Sequence, residues 1–284
     1  MSAHAAARVE ARPFIKCAGG KSKLCGALTG LMPDGVESMR HVEPFVGGGA
    51  VFFARGPERA LLGDLNEDLI ATYEVVRDEL ADLLAQLARI ARGHCAQRYY
   101  AVRERYNKHR AKSRAERAAQ FIYLNKTCFN GLFRVNRKGE FNVPMGRYAK
   151  AGPTIADAAA LLAASARLRH AELRRGSFEC VLGEARAGDF VYLDPPYAPR
   201  SSTANFTGYT KDGFSQVEQT RLRDEFRELD RRGVKVMLSN SDVPLIRRLY
   251  RGYAIQVVRA ARAINCDAKG RGPVRELVVR NYET

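Results

Sequence analysis

No stretch of this chain approaches the roughly 18 consecutive apolar residues that a membrane-spanning helix needs. The opening MSAHAAARVE lacks the apolar core of a secretory signal. Six cysteines, at positions 17, 25, 95, 128, 180 and 266, form neither a CxxC pair nor a dense cluster. That speaks against a disulfide or zinc framework and fits a reducing cytoplasm. Five scattered histidines supply no ligand set, so no metal is expected. Acidic residues are scarce: 31 Asp and Glu against 47 Lys and Arg leave a net charge of +16. Such a surplus suits a polyanion, nucleic acid or less often an acidic membrane, although an Arg-rich surface also arises without a partner. Hydrophobic residues make up 46% of 284, enough core for one large domain or two small ones, and too much for a disordered chain.

Four short apolar segments each run into polar residues: 41–45 into Gly47-Gly48-Gly49, 60–63 into Asp64, 190–193 into Asp194-Pro195-Pro196-Tyr197, and 234–238 into Ser239-Asn240-Ser241. Buried strands alternating with helical patterns predict a mostly parallel α/β sheet. Ligands of such sheets sit at the carboxyl ends of strands, where these polar residues fall. Helical spacing is predicted over 66–87 and 154–168, and Ser215 with Glu218 has the spacing of a capping box whose helix should stop at Gly233. Between Arg92 and Lys150 there are 15 Lys and Arg against 3 Asp and Glu, a net of +12. This basic insert carries interleaved aromatics and a predicted hairpin turning near residues 136–139, a pattern of nucleic-acid binding or of a solvated helical lid. No internal repeat or low-complexity linker is visible.

Asp194-Pro195-Pro196-Tyr197 is the most informative tetrapeptide. The exocyclic amine of a base is a poor nucleophile because its lone pair is delocalised into the ring. A carboxylate and a backbone carbonyl fixed by prolines can accept both N–H bonds and localise that pair, while an adjacent aromatic stacks on a base turned out of its helix. The same residues could form a turn with an aromatic cap. The glycine loop lets backbone approach a ligand closely. Asp64, 15 residues after Gly49, stands where nucleoside-binding folds accept ribose hydroxyls. The loop is not a Walker A: no GK[ST] follows, and Gly20-Lys21-Ser22 lacks the first glycine at the required spacing.

In this order the motifs resemble the DNA adenine methyltransferase (Dam-like) family, over about residues 13 to 283. Those carrying the likeness are 13–21 (PFIKCAGGK), 43–49, Asp64-Leu65-Asn66 through Ile70, 123–134 (YLNKTCFNGLFR), 139–148 (GEFNVPMGRY), 194–197, Asn205-Phe206-Thr207 with Tyr209, 238–241, and the tail from Arg262 to Tyr282. The resemblance implies a Rossmann-like methyltransferase sheet with helices on both faces. It also implies a mostly helical target-recognition subdomain carrying a β-hairpin. Residues 1–74 and 171–284 would form the catalytic domain and 75–170 the recognition domain.

It further implies S-adenosylmethionine as cofactor, held by Cys17, Ala18, Gly19, Lys21, Phe45, Gly47, Gly49, Asp64, Phe178 and Asp194. Asp64 would meet the ribose and Lys21 the cofactor's carboxylate. Catalysis would fall to Asp194, Pro195 and Tyr197, acting on an adenine flipped from a GATC-like duplex site. Lys16 and Arg134 would read bases, Phe129 would wedge by the vacated base, Asn130 would meet phosphate, and Leu132 and Pro144 would make apolar contacts. The expected partner is double-stranded DNA, and the expected state a cytoplasmic monomer. Two positions depart from the family: Cys17 stands where an aromatic is usual, and Ser177 where many relatives carry Asp. Phe45 or Phe178 is left to offset the smaller wall, and Phe178 reads equally as core. The alternatives are an N4-cytosine or RNA-adenine methyltransferase and a DNA-binding regulator. The Asp-led tetrapeptide and the hairpin speak against the first, and retention of Asp194 and Tyr197 against the second.

Overall fold

The computed structural model describes residues 10–17, 20–148, 152–199, 214–260 and 274–283. Ala18, Gly19, the segment from Asn205 to Tyr209 and the start of the tail at Arg262 lie outside the described residues.

Seven strands form one sheet: β1 (Arg40–Glu43), β2 (Ala60–Asp64), β3 (Ala171–Arg175), β4 (Asp189–Leu193), β5 (Lys235–Ser241), β6 (Ala254–Ala260) and β7 (Val274–Arg280). Their order is β3-β2-β1-β4-β5-β7-β6. The first five run parallel, and β7 enters antiparallel between β5 and β6. This is the expected Rossmann-like methyltransferase sheet. Alternation sets its two faces. Phe190 and Tyr192 pack with Leu24, Leu28 and Val51 on one side. Val191 and Leu193 pack with Val181, Leu222 and Phe226 on the other. The order reverses direction at β1 and β4, so the loops after those strands open into one crevice.

The helices are α1 (Cys25–Thr29), α2 (Ala50–Arg55), α3 (Glu67–Asp78), α4 (Leu80–Ala91), α5 (Ala96–Asn107), α6 (Arg114–Thr127), α7 (Ala158–Leu168), α8 (Phe178–Gly183), α9 (Gln216–Arg231) and α10 (Pro244–Leu249). The helix expected over 66–87 is two helices, broken at Glu79 (φ −127°, ψ 34°). The break lets α3 lie on the sheet while α4 turns to α6, and Arg114 of α6 ion-pairs with both Glu74 and Glu79 across it. Helix α7 begins later than expected, at Ala158, because the Asp157 side chain caps it by accepting from Ala160 N. Helix α9 has its full capping box, and Gly233 follows its last turn with φ +72°. Ser239, Asn240 and Ser241, expected to follow the strand at 234–238, belong to β5 and are buried against β7.

The basic segment folds mainly as α5 and α6, against which α4 packs. These share an apolar cluster with α3 and with Ala60 and Leu62 of β2. The predicted hairpin is reduced to a Val135–Phe141 bridge around residues 136–139, closed by Asn136 N to Glu140 O and Asn142 N to Arg134 O. The Asn107 carboxamide holds it, bonding the Phe141 carbonyl at 3.0 Å and its N–H at 2.9 Å.

Candidate active site

The glycine loop leaves β1 and enters α2. Gly47 and Gly49 have φ of +47° and +68°, a region that favours glycine. A Cβ on Gly49 would stand 2.8 Å from the Tyr73 hydroxyl, and one on Gly48 would stand 3.6 Å from Cys17 Sγ. The loop is fixed from below: Gly47 N donates to Asp64 Oδ2 at 3.1 Å, and Tyr73 OH donates to Gly47 O at 3.0 Å. Asp64 ends β2, and its Oδ1 accepts from Asn66 N at 2.9 Å. Burial pushes its pKa up to about 6, against the pull of backbone N–H bonds from Asn66, Gly47 and Leu65. A carboxylate offers about four acceptor sites. The backbone takes up part of that capacity and leaves the rest open.

Beside the loop three rings meet. Phe45 lies 5.5 Å from Phe178 and 5.8 Å from Phe214, centroid to centroid. Phe178 is only 6% exposed and sits within the apolar cluster under α9. Phe45 is half-buried. Phe214, just before α9, was not singled out in the sequence, where an isolated Phe carries no signal. Ser177 precedes α8, and its Oγ faces Cys180 Sγ at 3.7 Å.

Asp194 follows β4. Lys21, 4% exposed, places Nζ 2.9 Å from Asp194 Oδ1 and 4.7 Å from the centre of the Tyr197 ring. Burial raises the Asp194 pKa, while the Lys21 charge and hydrogen bond pull it back. The tetrapeptide's backbone is clamped. Gln219 of α9 donates to Pro196 O at 2.9 Å and accepts from Asn240 Nδ2 at 3.1 Å. Asn240 Oδ1 in turn accepts from Ala198 N at 3.1 Å, and Ser241 Oγ donates to Ala198 O at 2.6 Å. The Asp194 carboxylate and the Pro195 carbonyl are consecutive acceptors just after β4. Tyr197 OH donates to Glu276 Oε2 of β7 at 2.8 Å. Gln219, Glu276 and the Lys21–Asp194 pair escaped the sequence reading because each joins residues far apart in the chain. The one local signal was an acid inside the apolar run of β7.

The expected DNA residues gather on a second surface. The Asn125 carboxamide grips the Lys16 backbone on both sides, accepting from its N–H and donating to its carbonyl, each at 2.7 Å. The Lys16 side chain lies against Gly131, where φ is +64° and a Cβ would come within 2.4 Å of Lys16 Cδ. Phe129 is 43% exposed, and its N–H donates to Pro144 O at 2.9 Å. Asn130 holds a left-handed backbone with φ +56°. Arg134 Nε donates to Asn142 Oδ1 at 2.9 Å, while Leu132 packs on the core from its margin. Among the described residues no group of His, Cys, Asp and Glu could hold a metal, and no helix is long and apolar enough to cross a membrane.

A family model for D12 class N6 adenine-specific DNA methyltransferases matches residues 18–264. The chain is 41% identical to the type II methyltransferase M1.LlaDCHI of Lactococcus lactis subsp. cremoris over 280 residues, 97% of each chain. It is 40% identical to the type II methyltransferase M.MjaIII of Methanocaldococcus jannaschii, over 96% of this chain and all of the relative. The DNA adenine methylase of Escherichia coli K12 is 38% identical over 94% of both chains. With the methyltransferase sheet, the glycine loop and the strand-end tetrapeptide in place, the chain belongs to the D12 class of N6 adenine-specific DNA methyltransferases, a class that uses S-adenosylmethionine.

Proposed function

We propose that the protein transfers a methyl group from S-adenosylmethionine to N6 of an adenine flipped out of a GATC-like site in duplex DNA. The acceptor pair of the Asp194 carboxylate and the Pro195 carbonyl carries this reading. Both N6 hydrogens bonded there draw the lone pair out of the ring and aim it, so catalysis is chiefly positioning and electrostatics. The raised pKa of Asp194 makes it a stronger base for a proton that N6 gives up. Tyr197 offers its ring for stacking.

The residues present fit the cofactor. The remaining acceptor capacity of Asp64 suits a ribose diol, the left-handed Gly47 and Gly49 leave bare backbone that a ligand can approach closely, and Phe45 offers a ring. Cys17 packs directly on Gly48, backbone against a small side chain, which suits a narrow wall over the loop. The bound cofactor supplies an electrophilic methyl group on sulfur. Lys21 keeps Asp194 ionised.

Residues 75–170 serve as the recognition unit and the remainder as the catalytic unit. Lys16 and Arg134 read bases, Phe129 enters near the vacated base, Asn130 meets phosphate, and Leu132 and Pro144 make apolar contacts. The GATC-like preference rests on the likeness of residues 123–134 and 139–148 to the family's hairpin. We take the protein to act as a cytoplasmic monomer.

Asp194→Ala should abolish methylation while leaving cofactor affinity within roughly tenfold, because its main work is done at N6. Methylation near the wild-type rate would refute the role. Methylome sequencing after expression in a methylation-free host reports the base and the site together; a modified cytosine, or an unrelated sequence, would overturn those parts of the reading.

A further inference from the structure

Glu276 is a half-buried acid in a strand that is otherwise largely apolar. It sits opposite Ser241 of β5 and Val258 of β6, at the edge of the sheet where the tetrapeptide lies. A carboxylate in such a place is costly unless it is hydrogen-bonded. Its Oε2 accepts from the Tyr197 hydroxyl at 2.8 Å.

The Tyr197 ring is therefore held from three directions. Its backbone neighbours are clamped by Gln219 and Asn240. One face looks toward the Lys21 ammonium. The far tip is tied to β7 by Glu276. Without the last tie the ring could turn about its two side-chain torsions. A base stacked on it would then lose the orientation that presents N6 to Asp194 and Pro195, and small errors of this kind are expensive in rate.

We propose that Glu276 is a positioning residue for the methyl transfer, acting through its hydrogen bond to Tyr197 to fix the ring plane on which the target adenine stacks. This rests on the stacking role given to Tyr197 above. It leaves the opposite ring face for the base. The proposed action is that of an acceptor toward the Tyr197 hydroxyl.

The test is the single-turnover rate on a duplex carrying the preferred site, with cofactor affinity by calorimetry and thermal melting alongside. Glu276→Ala and Tyr197→Phe should each lower the rate about ten- to hundredfold, the scale on which misorientation of reacting groups acts. Cofactor affinity should stay within about threefold. The double variant should be no slower than the slower single one, since both remove the same bond. Glu276→Gln, which keeps an acceptor, should recover to within about threefold of wild type.

A wild-type rate in Glu276→Ala, additive losses, or a Glu276→Gln as slow as the alanine variant would each overturn the proposal. If Glu276→Ala does not fold, Tyr197→Phe and Glu276→Gln decide it alone: a wild-type rate in the first or a slow second overturns it. Tyr197→Ala separates the two readings. A wild-type rate there sinks the stacking role and this inference together, whereas a slow Tyr197→Ala with an unaffected Glu276→Ala sinks only the inference.

Discussion

Asp64 is held in a state that suits a ligand better than it suits the empty fold. Its pKa rises from an ordinary 3.8 to about 6 because burial removes water from the carboxylate. The folded chain therefore binds this proton more tightly than the unfolded one between about pH 4 and 6. Its contribution makes the cofactor-free protein more stable as pH falls through that window, and ionised Asp64 subtracts stability at neutral pH. Cofactor binding should run the opposite way, since ribose hydroxyls need an ionised acceptor, and affinity should fall as pH drops through 6. Melts and calorimetry from pH 5 to 8 should show the two opposed trends, and Asp64→Ala should flatten both. At pH 7.5 the same variant should raise the cofactor's dissociation constant about ten- to hundredfold, the equivalent of roughly 1.5–3 kcal/mol for charged hydrogen bonds. Unchanged affinity would remove Asp64 from the ribose.

Strands were legible where a buried run ended in a carboxylate or a polar turn, because burial on both faces leaves a short continuous apolar signal. Ser239 to Ser241 were misassigned for the complementary reason: they are polar yet buried, satisfied by β7 and by Ala198, partners that a linear reading cannot see. The break at Glu79 was illegible because apolar spacing continues through it, and what divides α3 from α4 is the change of packing partner. The strand-end positions of Asp64 and Asp194 were legible; the clamps around them were not, because their members are scattered.

One such junction is testable. Gly131 ends the short turn after α6 with φ +64°, and the Lys16 side chain fills the space where a Cβ would stand. Gly131→Ala should therefore cost about 1–2 kcal/mol in backbone strain and displace Lys16. Duplex binding at the preferred site should weaken, and cofactor affinity should not change. Wild-type affinity for the site would mean that Lys16 has no fixed place in recognition.

At the scale of the molecule the question is what the charge of +16 is for. Some of the 47 cations are engaged by acids that the surplus already discounts: Arg105 and Arg89 pair with Glu116, Arg114 with Glu74 and Glu79, and Arg117 makes a bidentate bond to Asp68. These pairs hold the basic helices to each other and to α3, so their removal should act on folding before it acts on DNA. The exposed cations of the hairpin region, Arg134, Arg137, Lys138 and Arg147, are different. If they meet phosphates, each neutralised phosphate adds about 0.9 to the slope of log affinity against log salt. Replacing Arg137, Lys138 and Arg147 together by Ala should flatten that slope by about 2 to 3 and weaken all duplexes alike. Arg134 is bonded to Asn142, which fixes its guanidinium before DNA arrives, as base reading requires. Arg134→Ala should then remove about 1–3 kcal/mol of discrimination at one position of the site, with little change in non-specific binding. Rates on the preferred duplex and on its single-base variants, at two salt concentrations, separate these cases. Proportional loss on every duplex with a shallower salt slope would make Arg134 a phosphate anchor, and sequence choice would then have to come from Lys16 and the remainder of the hairpin.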